Sequence, residues 1–194
     1  MSTTKRNIGT VSALYPVPTI VVGAMNGTEP TWTLVAHTGI PSHKKLMVSL
    51  GGKHFINGCI KKAGVLSVNV VDGSWLDKAD YCGSVSGAKT SKAAEFAWTP
   101  GDAGAPLIDA AKLSMELTVE DIYEVEGFEN FICSVAGTYA DDSIVNQAGK
   151  IDYDRFSPVL FEMPTYTYRA TGAKIADCLS FAKARKANAA DTEH

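Results

Sequence analysis

Apolar and polar residues alternate along several stretches of the chain, and this alternation predicts strands rather than long helices. The clearest case is Leu113–Val125 (LSMELTVEDIYEV), which is followed, after a turn at Glu126 and Gly127, by a partner strand at Asn130–Tyr139. Strict alternation places one face of a strand inward and the other towards water, as in an antiparallel sheet. We therefore expect a long antiparallel hairpin here.

Shorter apolar runs predict more strands in the N-terminal half. Thr19–Met25 is rich in β-branched residues, and Asn26-Gly27 predicts a tight turn into a return strand at Thr31–Thr38. Gly39, Pro41 and Ser42 are expected to end that strand, and Trp98–Pro106, which contains two prolines and two glycines, is expected to be a loop. The other predicted strands are Leu46–Leu50, Val65–Val71, Val159–Phe161 and Thr165–Tyr168.

Helical periodicity is confined to three segments. His54–Ala63 has apolar residues at helical spacing and ends at Gly64, Ser74–Tyr81 is short, and a third helix is expected from about Gly172. Residues 1–13 are expected to form an arm, and Asn188–His194 a disordered tail after the C-terminal helix.

The balance of elements predicts the fold class. Strands outnumber helices, and the first connection is a hairpin rather than a helical crossover. The pattern favours a mainly β protein, an antiparallel β-barrel that is closed or nearly closed, with accessory helices packed outside. We expect a single domain over residues 1–194.

Composition narrows the classes of partner. Of 194 residues, 45% are hydrophobic and 20% charged, and the net charge is −3. Without a basic face we expect no nucleic-acid partner. Without an apolar run of about 20 residues or a signal peptide we expect no membrane span and a cytoplasmic location. The four cysteines and four histidines are not paired at the spacing of metal ligands, so no metal site is expected.

One polar stretch is the best candidate for binding chemistry. Ala79–Lys92 (ADYCGSVSGAKTSK) is rich in glycine and serine and contains two lysines. Exposed backbone N–H groups beside hydroxyls and an ammonium suit an anion such as phosphate. A solvent-exposed loop is the alternative interpretation. Cys82 lies within this stretch, where nearby lysines would make its thiol reactive, or where it is a small packing residue.

Familiar catalytic loops are missing. The sequence contains no G-x-S-x-G elbow, no G-x-x-x-x-G-K-[ST] loop and no G-x-G-x-x-G after a strand. These absences argue against a hydrolase of that type, a P-loop protein and a dinucleotide fold. A barrel with an anion-binding loop and aromatic residues nearby would suit a flat phosphorylated cofactor such as FMN.

The order of segments resembles the flavin reductase-like family, and in particular its flavoredoxin-type branch. Three stretches carry the resemblance, Pro16–Ile40, Leu46–Val71 and Ala79–Lys92, and they are followed in the expected order by Ala105–Ile108 and Met115-Glu116. The resemblance implies an FMN-binding split barrel. It also implies an oxidoreductase that passes electrons from NADH, NADPH or a redox protein partner through bound FMN, commonly as a homodimer with the flavin near the interface.

The resemblance also implies which residues hold the cofactor, and it assigns no side chain to catalysis. Ala36, His37 and Thr38 in the second strand would line the ring or ribityl chain, and Ser49 and Leu50 would follow from the third strand. Asn69 would support the cofactor pocket from the strand Val65–Val71. The phosphate would be held by Ser84, Ser86, Gly87 and Lys92.

Several positions depart from the family pattern. Thr31 replaces an asparagine, Leu34 and Ile56 replace threonines, and Ser91 replaces an aspartate. Lys44 and Lys45 stand where the family often has two prolines. The lost hydroxyls leave open an alternative, a non-catalytic split-barrel binding module with weak or no flavin binding.

Overall fold

The structure is a computed structural model that describes residues 4–183 and 185. Its first half contains strands β1 to β6 and two helices, α1 (Phe55–Ala63) and α2 (Leu76–Ser84). The first six strands are β1 (Val17–Pro18), β2 (Ile20–Asn26), β3 (Glu29–Val35), β4 (Thr38–Ser42), β5 (Lys45–Gly51) and β6 (Val65–Val70). The remaining strands are β7 (Trp98–Pro100), β8 (Pro106–Ile108), β9 (Leu113–Val125), β10 (Phe128–Ala140), β11 (Val159–Glu162) and β12 (Thr167–Ala170).

Seven of these strands form one antiparallel sheet, in the order β3-β2-β6-β9-β10-β5-β4. The two edge strands, β3 and β4, are consecutive in the chain and are joined by Ala36 and His37. Because this link is only two residues long, the sheet curls until its two edge strands approach each other. At the link, the backbone N–H of Ser49 in β5 donates to the carbonyl of His37, at 2.9 Å. Separate small sheets pair β1, β11 and β12, and β7 with β8.

Both faces of the large sheet are covered. On one face α1 buries Ile60 against Leu66, Leu117 and Phe131. On the other, α2 packs with an aromatic group in which Phe96 makes edge contacts to Trp32 and Trp75, with ring centroids 5.6 and 5.5 Å apart. The two helices therefore hold the sheet between two apolar layers.

Several predicted elements are confirmed. The alternating stretch Leu113–Val125 is β9, and it pairs with β10 as the expected hairpin. The hairpin of β2 and β3 turns at Gly27, whose φ of 68° suits a residue without a Cβ. Gly64, with φ 71°, ends α1, and its N–H donates to the carbonyl of Ile60 at 2.8 Å.

Three predictions about elements are wrong. The chain resumes pairing over Gly39–Ser42, which was expected to break the strand, because β4 lies along β5 there. The stretch 98–106, expected as a loop, holds two short paired strands. Residues 171–177 are irregular, and helix begins only at Ser180. Lys186 and the predicted disordered tail Asn188–His194 lie outside the described residues.

Gly23 provides a test of the packing between the sheet and the aromatic layer. It lies opposite Trp32 across the β2–β3 pair, and a Cβ on Gly23 would enter the Trp32 ring and lie 2.6 Å from the Ser67 hydroxyl. We expect Gly23→Ala to lower the free energy of unfolding by about 1–3 kcal/mol, because this core cannot accept an added methyl group. Urea denaturation measures the change.

Gly58→Ala is the matched control. Gly58 is exposed in α1, and nothing lies within 4 Å of the added Cβ. The same substitution there should raise the free energy of unfolding by about 0.5–1 kcal/mol. A Gly23→Ala protein as stable as the unmodified chain would contradict this account of the core.

Candidate functional site

The stretch Ala79–Lys92 consists of two parts with different structures. Helix α2 continues to Ser84, three residues past the predicted end, and only residues 85–92 form a loop. This loop is tightened by the N–H groups of Lys89 and Thr90, which both donate to the carbonyl of Ser86 at 3.0 Å. The polar stretch is therefore a helix end followed by a folded turn, rather than one exposed loop.

Lys92 explains why the helix continues. Its ammonium nitrogen donates to the carbonyls of Cys82 at 2.8 Å and Val85 at 3.0 Å, so it binds carbonyls that the end of a helix leaves without partners. The residue is only 4% exposed, and burial lowers the pKa of its ammonium. An ammonium has three donors, so one remains for a ligand.

A cavity of about 290 Å³ lies beside Lys92. We call it the helix cavity, because its walls are the end of α2 with the following loop, the start of α1, and strand β3. The residues used below are Thr31, His54, Phe55, Ser84, Gly87 and Lys92. Helix α1 begins here without a side-chain cap, so backbone N–H groups of its first turn face this wall with the positive end of the helix dipole.

Gly87 lets the loop come close to both neighbours. A Cβ at this position would lie 2.8 Å from the Phe55 ring and 3.0 Å from the Thr31 hydroxyl. Because there is no Cβ, the backbone of the loop itself lines the helix cavity. This close approach is the feature expected of a loop that holds an anion with its N–H groups.

A second cavity, of about 490 Å³, adjoins the first. We call it the aromatic cavity, because Phe128, Phe161, Tyr166 and Tyr168 contribute to its lining. His54, Gly83 and Ser84 line both cavities. A ligand could therefore extend from a polar end beside Lys92 to an apolar end beside the aromatic rings.

Most of the predicted binding residues meet at these two cavities. Ser84, Ser86, Gly87 and Lys92 line the helix cavity. Ala36, His37, Ser49 and Leu50 line the aromatic cavity. Thr38 lines a neighbouring cavity with the N-terminal arm, where the Tyr15 hydroxyl lies 3.0 Å from Nε2 of His37.

Asn69 is not brought to either cavity. Its side chain is fully buried between sheet and loop, where the amide donates to the Val21 carbonyl and the Ser67 hydroxyl. Its oxygen accepts from the Ile108 N–H at 2.9 Å and the Ser114 hydroxyl at 2.7 Å. The structure therefore corrects the expectation of a pocket role, because these bonds use the amide to join β2, β6, β8 and β9.

Other lining residues were not identified as binding residues from the sequence. His54 stands immediately before α1, and burial followed by the charge of Lys92 lowers the pKa of its imidazole. The aromatic residues Phe161, Tyr166 and Tyr168 come from the end of the chain. The sequence does show that aromatic residues cluster in this short segment, and the cluster could have indicated a binding surface. No local sequence pattern connects the segment with the distant stretch Ala79–Lys92.

Cys82 lies in a packing position, which argues against the alternative of a reactive thiol. It lies within α2 with no exposed surface, next to Ala79 in the apolar layer. Burial raises the pKa of the thiol to about 11, although Lys92 acts in the opposite direction. At neutral pH the thiol is therefore protonated and shielded.

This environment predicts which thiol reacts in the folded protein. Cys59, Cys82 and Cys133 are buried, whereas Cys178 is exposed. With a pKa of about 11, Cys82 has about one thousandth of its molecules ionised at pH 8. We expect one fast-reacting thiol with an aromatic disulfide reagent at pH 8, lost in Cys178→Ser and retained in Cys82→Ser. Loss of the fast phase in Cys82→Ser instead would restore the reactive-thiol hypothesis.

Comparison with known proteins assigns the family. A family model described as the flavin reductase like domain matches residues 12–162. The chain belongs to this family. The resemblance noted in the sequence is confirmed, and so is the mainly β, antiparallel split-barrel fold.

Two solved structures are similar over nearly the whole chain. The flavoredoxin from Methanosarcina acetivorans has 26% sequence identity and a TM-score of 0.88, with 94% of this chain and 99% of that one covered. The flavoredoxin of Desulfovibrio vulgaris (Miyazaki F) has 25% identity and a TM-score of 0.84, with 91% and 98% covered.

One further similar protein has no assigned activity. An uncharacterised protein of Aeropyrum pernix is 26% identical over 157 residues, which are 76% of this chain. The match spans 58% of the length of that relative.

The residues present fit a flavin. The loop at Gly87 leaves room that a Cβ would fill, beside the donors of Lys92 and α1. The Trp32 indole N–H and the Thr19 hydroxyl are buried and lack hydrogen-bond partners among the described residues. Trp32 lines the helix cavity and Thr19 the aromatic cavity. Both atoms have almost no accessible surface, so the fit rests on the loop at Gly87 and on the donors beside it.

The described part of the chain holds neither a cluster of metal ligands nor a membrane-spanning helix. Within residues 4–183 and 185, no group of three histidine, cysteine or acidic residues is placed to hold a metal ion. In the same part of the chain, no helix has the length and hydropathy needed to span a membrane.

Proposed function

We propose that this protein binds FMN across the two cavities and acts as a flavin reductase or a flavoredoxin-like electron carrier. The observation that carries the proposal is the junction of a polar cavity containing a buried lysine with an aromatic cavity, through shared residues at the end of α2. FMN has a charged phosphate at one end and a flat ring at the other, which match these two environments.

The phosphate would lie in the helix cavity. Lys92 offers its remaining donor there, and α1 offers N–H groups of its first turn. Ser84, Ser86 and the backbone at Gly87 complete the wall. The Ser84 hydroxyl donates its one proton to the Tyr81 carbonyl at 2.8 Å, so it would have to turn away from that carbonyl before it could donate to a phosphate.

The ring would lie in the aromatic cavity against the end of β3 and the adjoining part of β5. Ala36, His37, Ser49 and Leu50 form this wall, and the Ser49 hydroxyl is oriented by a 2.5 Å bond to the Asn130 side chain. A bound flavin would supply the hydride and electron chemistry, with NADH, NADPH or a redox protein as the proposed electron source. The protein's own part is to hold the ring, exclude water and set its hydrogen bonds.

Two apolar substitutions favour the second candidate, a split-barrel binding module with weak flavin binding. Leu34 and Ile56 line the cavities where the family pattern has hydroxyls. Each loses a donor that could reach a cofactor. Titration of FMN and of riboflavin into the purified protein separates the two candidates. The binding module would bind FMN no more tightly than riboflavin, which lacks the phosphate.

Lys92→Ala tests the position of the phosphate. We expect the affinity for FMN to fall about ten- to a hundredfold, the effect of losing a charge-assisted hydrogen bond. The affinity for riboflavin, which has no phosphate, should change little. Flavin fluorescence quenching measures both dissociation constants.

Lys89→Ala is the matched control, because Lys89 lies three residues earlier in the same loop but is exposed and does not line the helix cavity. It should alter neither affinity appreciably. Since Lys92 also holds the end of α2, the folded fraction of each variant is checked first by urea denaturation. Equal losses for FMN and riboflavin in Lys92→Ala would place the lysine away from the phosphate.

We also propose that the protein is a homodimer. Large apolar side chains are exposed at both ends of the described chain, with Leu14 86%, Ile175 97% and Phe181 71% exposed. A second copy that covers them would remove this apolar surface from water. A cytoplasmic location stays a prediction.

Light scattering measures the assembly. We expect a mass near twice the 20.6 kDa of one chain at micromolar concentration. Leu14→Glu should shift the mass towards one chain, whereas Lys5→Glu, an exposed change in the same arm, should not. A mass of one chain for the unmodified protein would contradict the proposal.

A further inference from the structure

His54 stands at the point where the two cavities meet. It lines both the helix cavity and the aromatic cavity, and it is the residue immediately before α1. Gly83 and Ser84, the other residues that line both, belong to the end of α2. A ligand that extends from one cavity into the other would therefore pass the imidazole of His54.

The backbone at the end of β5 fixes the direction of this imidazole. The His54 N–H donates to the Gly51 carbonyl at 2.9 Å, which closes a tight turn. A Cβ on Gly51 would lie 3.1 Å from Cδ2 and 3.4 Å from Nε2 of His54, so the ring rests against the backbone of a residue without a side chain. Local packing thus places the ring at the junction.

The imidazole does not cap the helix that it precedes. A polar side chain before the first turn of a helix commonly accepts a hydrogen bond from that turn. Among the described residues, the side chain of His54 makes no such bond with α1. The N–H groups of the first turn and the imidazole nitrogens are therefore available to the same ligand in the helix cavity.

The charges around His54 favour its neutral form in the protein alone. Partial burial, followed by the charge of the Lys92 ammonium, lowers the pKa of the imidazole. Asp80 brings a carboxylate, but the Tyr168 hydroxyl already donates to it at 2.5 Å. The titratable groups that line the two cavities with His54 are His37, Lys53, Asp80, Lys92, Tyr166 and Tyr168.

A phosphate group in the helix cavity would reverse this balance. A phosphate monoester carries close to two negative charges at neutral pH, because its second pKa is about 6. An anion close to an imidazole raises the pKa of that imidazole, and the ordinary value of about 6.5 is already close to neutral pH. His54 also keeps exposed surface, through which a proton can arrive from solvent.

We propose that His54 is a second cation for the phosphate in the helix cavity, and that it becomes one by taking up a proton when the phosphate binds. The imidazolium would then pair with the phosphate alongside Lys92. This inference rests on the proposed function, because it assigns a residue and a proton to the phosphate end of the same site. The class of ligand is a dianionic phosphate group, and inorganic phosphate is its simplest probe.

The uptake of a proton determines how the affinity depends on pH. We expect the affinity for FMN to fall about three- to tenfold between pH 6.5 and pH 8.5, because the complex loses the proton on His54 as the pH rises. The affinity for riboflavin should change little. Calorimetry at pH 7.5 in HEPES and in Tris, whose ionisation enthalpies differ, should show proton uptake with FMN and almost none with riboflavin.

Variants of His54 separate the proton from the side chain. His54→Gln cannot take up a proton, so it should lose the proton uptake and bind FMN about three- to tenfold more weakly at pH 6.5. His54→Lys carries its charge throughout this range, so it should keep the affinity and lose most of the pH dependence. Any pH dependence left in His54→Gln belongs to Lys92, whose pKa is also lowered by burial.

His43→Gln is the matched control. His43 is exposed in the turn between β4 and β5 and lines neither cavity, so this variant should keep the affinity, the pH dependence and the proton uptake. Urea denaturation checks that each variant is folded before it is titrated.

Nuclear magnetic resonance gives a direct measurement of the same proton. We expect the pKa of His54 to lie below its ordinary value in the flavin-free protein and to rise when FMN is added, but not when riboflavin is added. Three results would overturn the proposal: an unchanged pKa of His54 with FMN bound, equal proton uptake in His54→Gln, or the same pH dependence for riboflavin.

The two proposals fail in different ways. Failure of the unmodified protein to bind FMN would refute the proposed function. Inorganic phosphate added to the flavin-free protein would then decide the role of His54 alone, through the same resonance. A rise in the pKa of His54 with phosphate would support that role, and an unchanged pKa would refute it.

Discussion

The arrangement of the site depends on one buried interaction, the bond of the Lys92 ammonium to the carbonyls at the end of α2. These carbonyls would otherwise face the helix cavity with the negative end of the helix dipole, which repels an anion. The lysine places a positive charge at that end. The same contact fixes the last turn of α2, and this turn is the wall that both cavities share.

Burial explains why Lys92 both binds the carbonyls at the end of α2 and can bind an anion in the helix cavity. In water an ammonium is fully hydrated, but at 4% exposure it must find its partners within the protein or a ligand. Two carbonyls satisfy part of that need, and burial lowers the pKa of the ammonium. An anionic ligand in the helix cavity would supply a counter-charge, and this cavity is the place proposed above for the phosphate.

Elsewhere in the molecule, buried polar groups serve the sheet. Asn69 joins four strands, and the fully buried Glu116 accepts from the backbone N–H groups of Ala103 and Ala105 at 2.9 and 2.8 Å. Both residues have the chemistry of site residues. Their place within the large sheet, away from the cavities, gives them a structural role instead.

The sequence was most informative where one local rule decided the outcome. The hairpin of β9 and β10 was predicted from the alternation of apolar and polar residues, although the polar positions Ser114 and Glu116 are buried in the structure. Gly64 was predicted because a left-handed helix end favours glycine. The predicted loop residues Ser84, Ser86, Gly87 and Lys92 do line one cavity, and their role in binding stays a prediction. The break after Thr38 was wrong, because pairing with β5 outweighs the turn propensity of Gly39 and Pro41.

The remaining features depended on contacts between distant parts of the chain. The end of α2 at Ser84 is set by Lys92, eight residues later, through side-chain bonds that no helical periodicity records. The place of Asn69 could not be predicted, because three of its four hydrogen-bond partners lie 39 to 48 residues away. Phe161, Tyr166 and Tyr168 reach the aromatic cavity through the small sheet of β1, β11 and β12.

The contact between Gly83 in α2 and Leu34 in β3 bears on how this site can diverge between lineages. A Cβ on residue 83 would lie 2.8 Å from the Cβ of residue 34, which every residue except glycine possesses. The helix and the strand therefore require glycine at position 83 whichever side chain stands at position 34. Leucine and threonine both have a Cβ, so an exchange between them at position 34 leaves this contact unchanged. Leu34 can therefore stand where the family has a hydroxyl while the helix and the strand keep their packing.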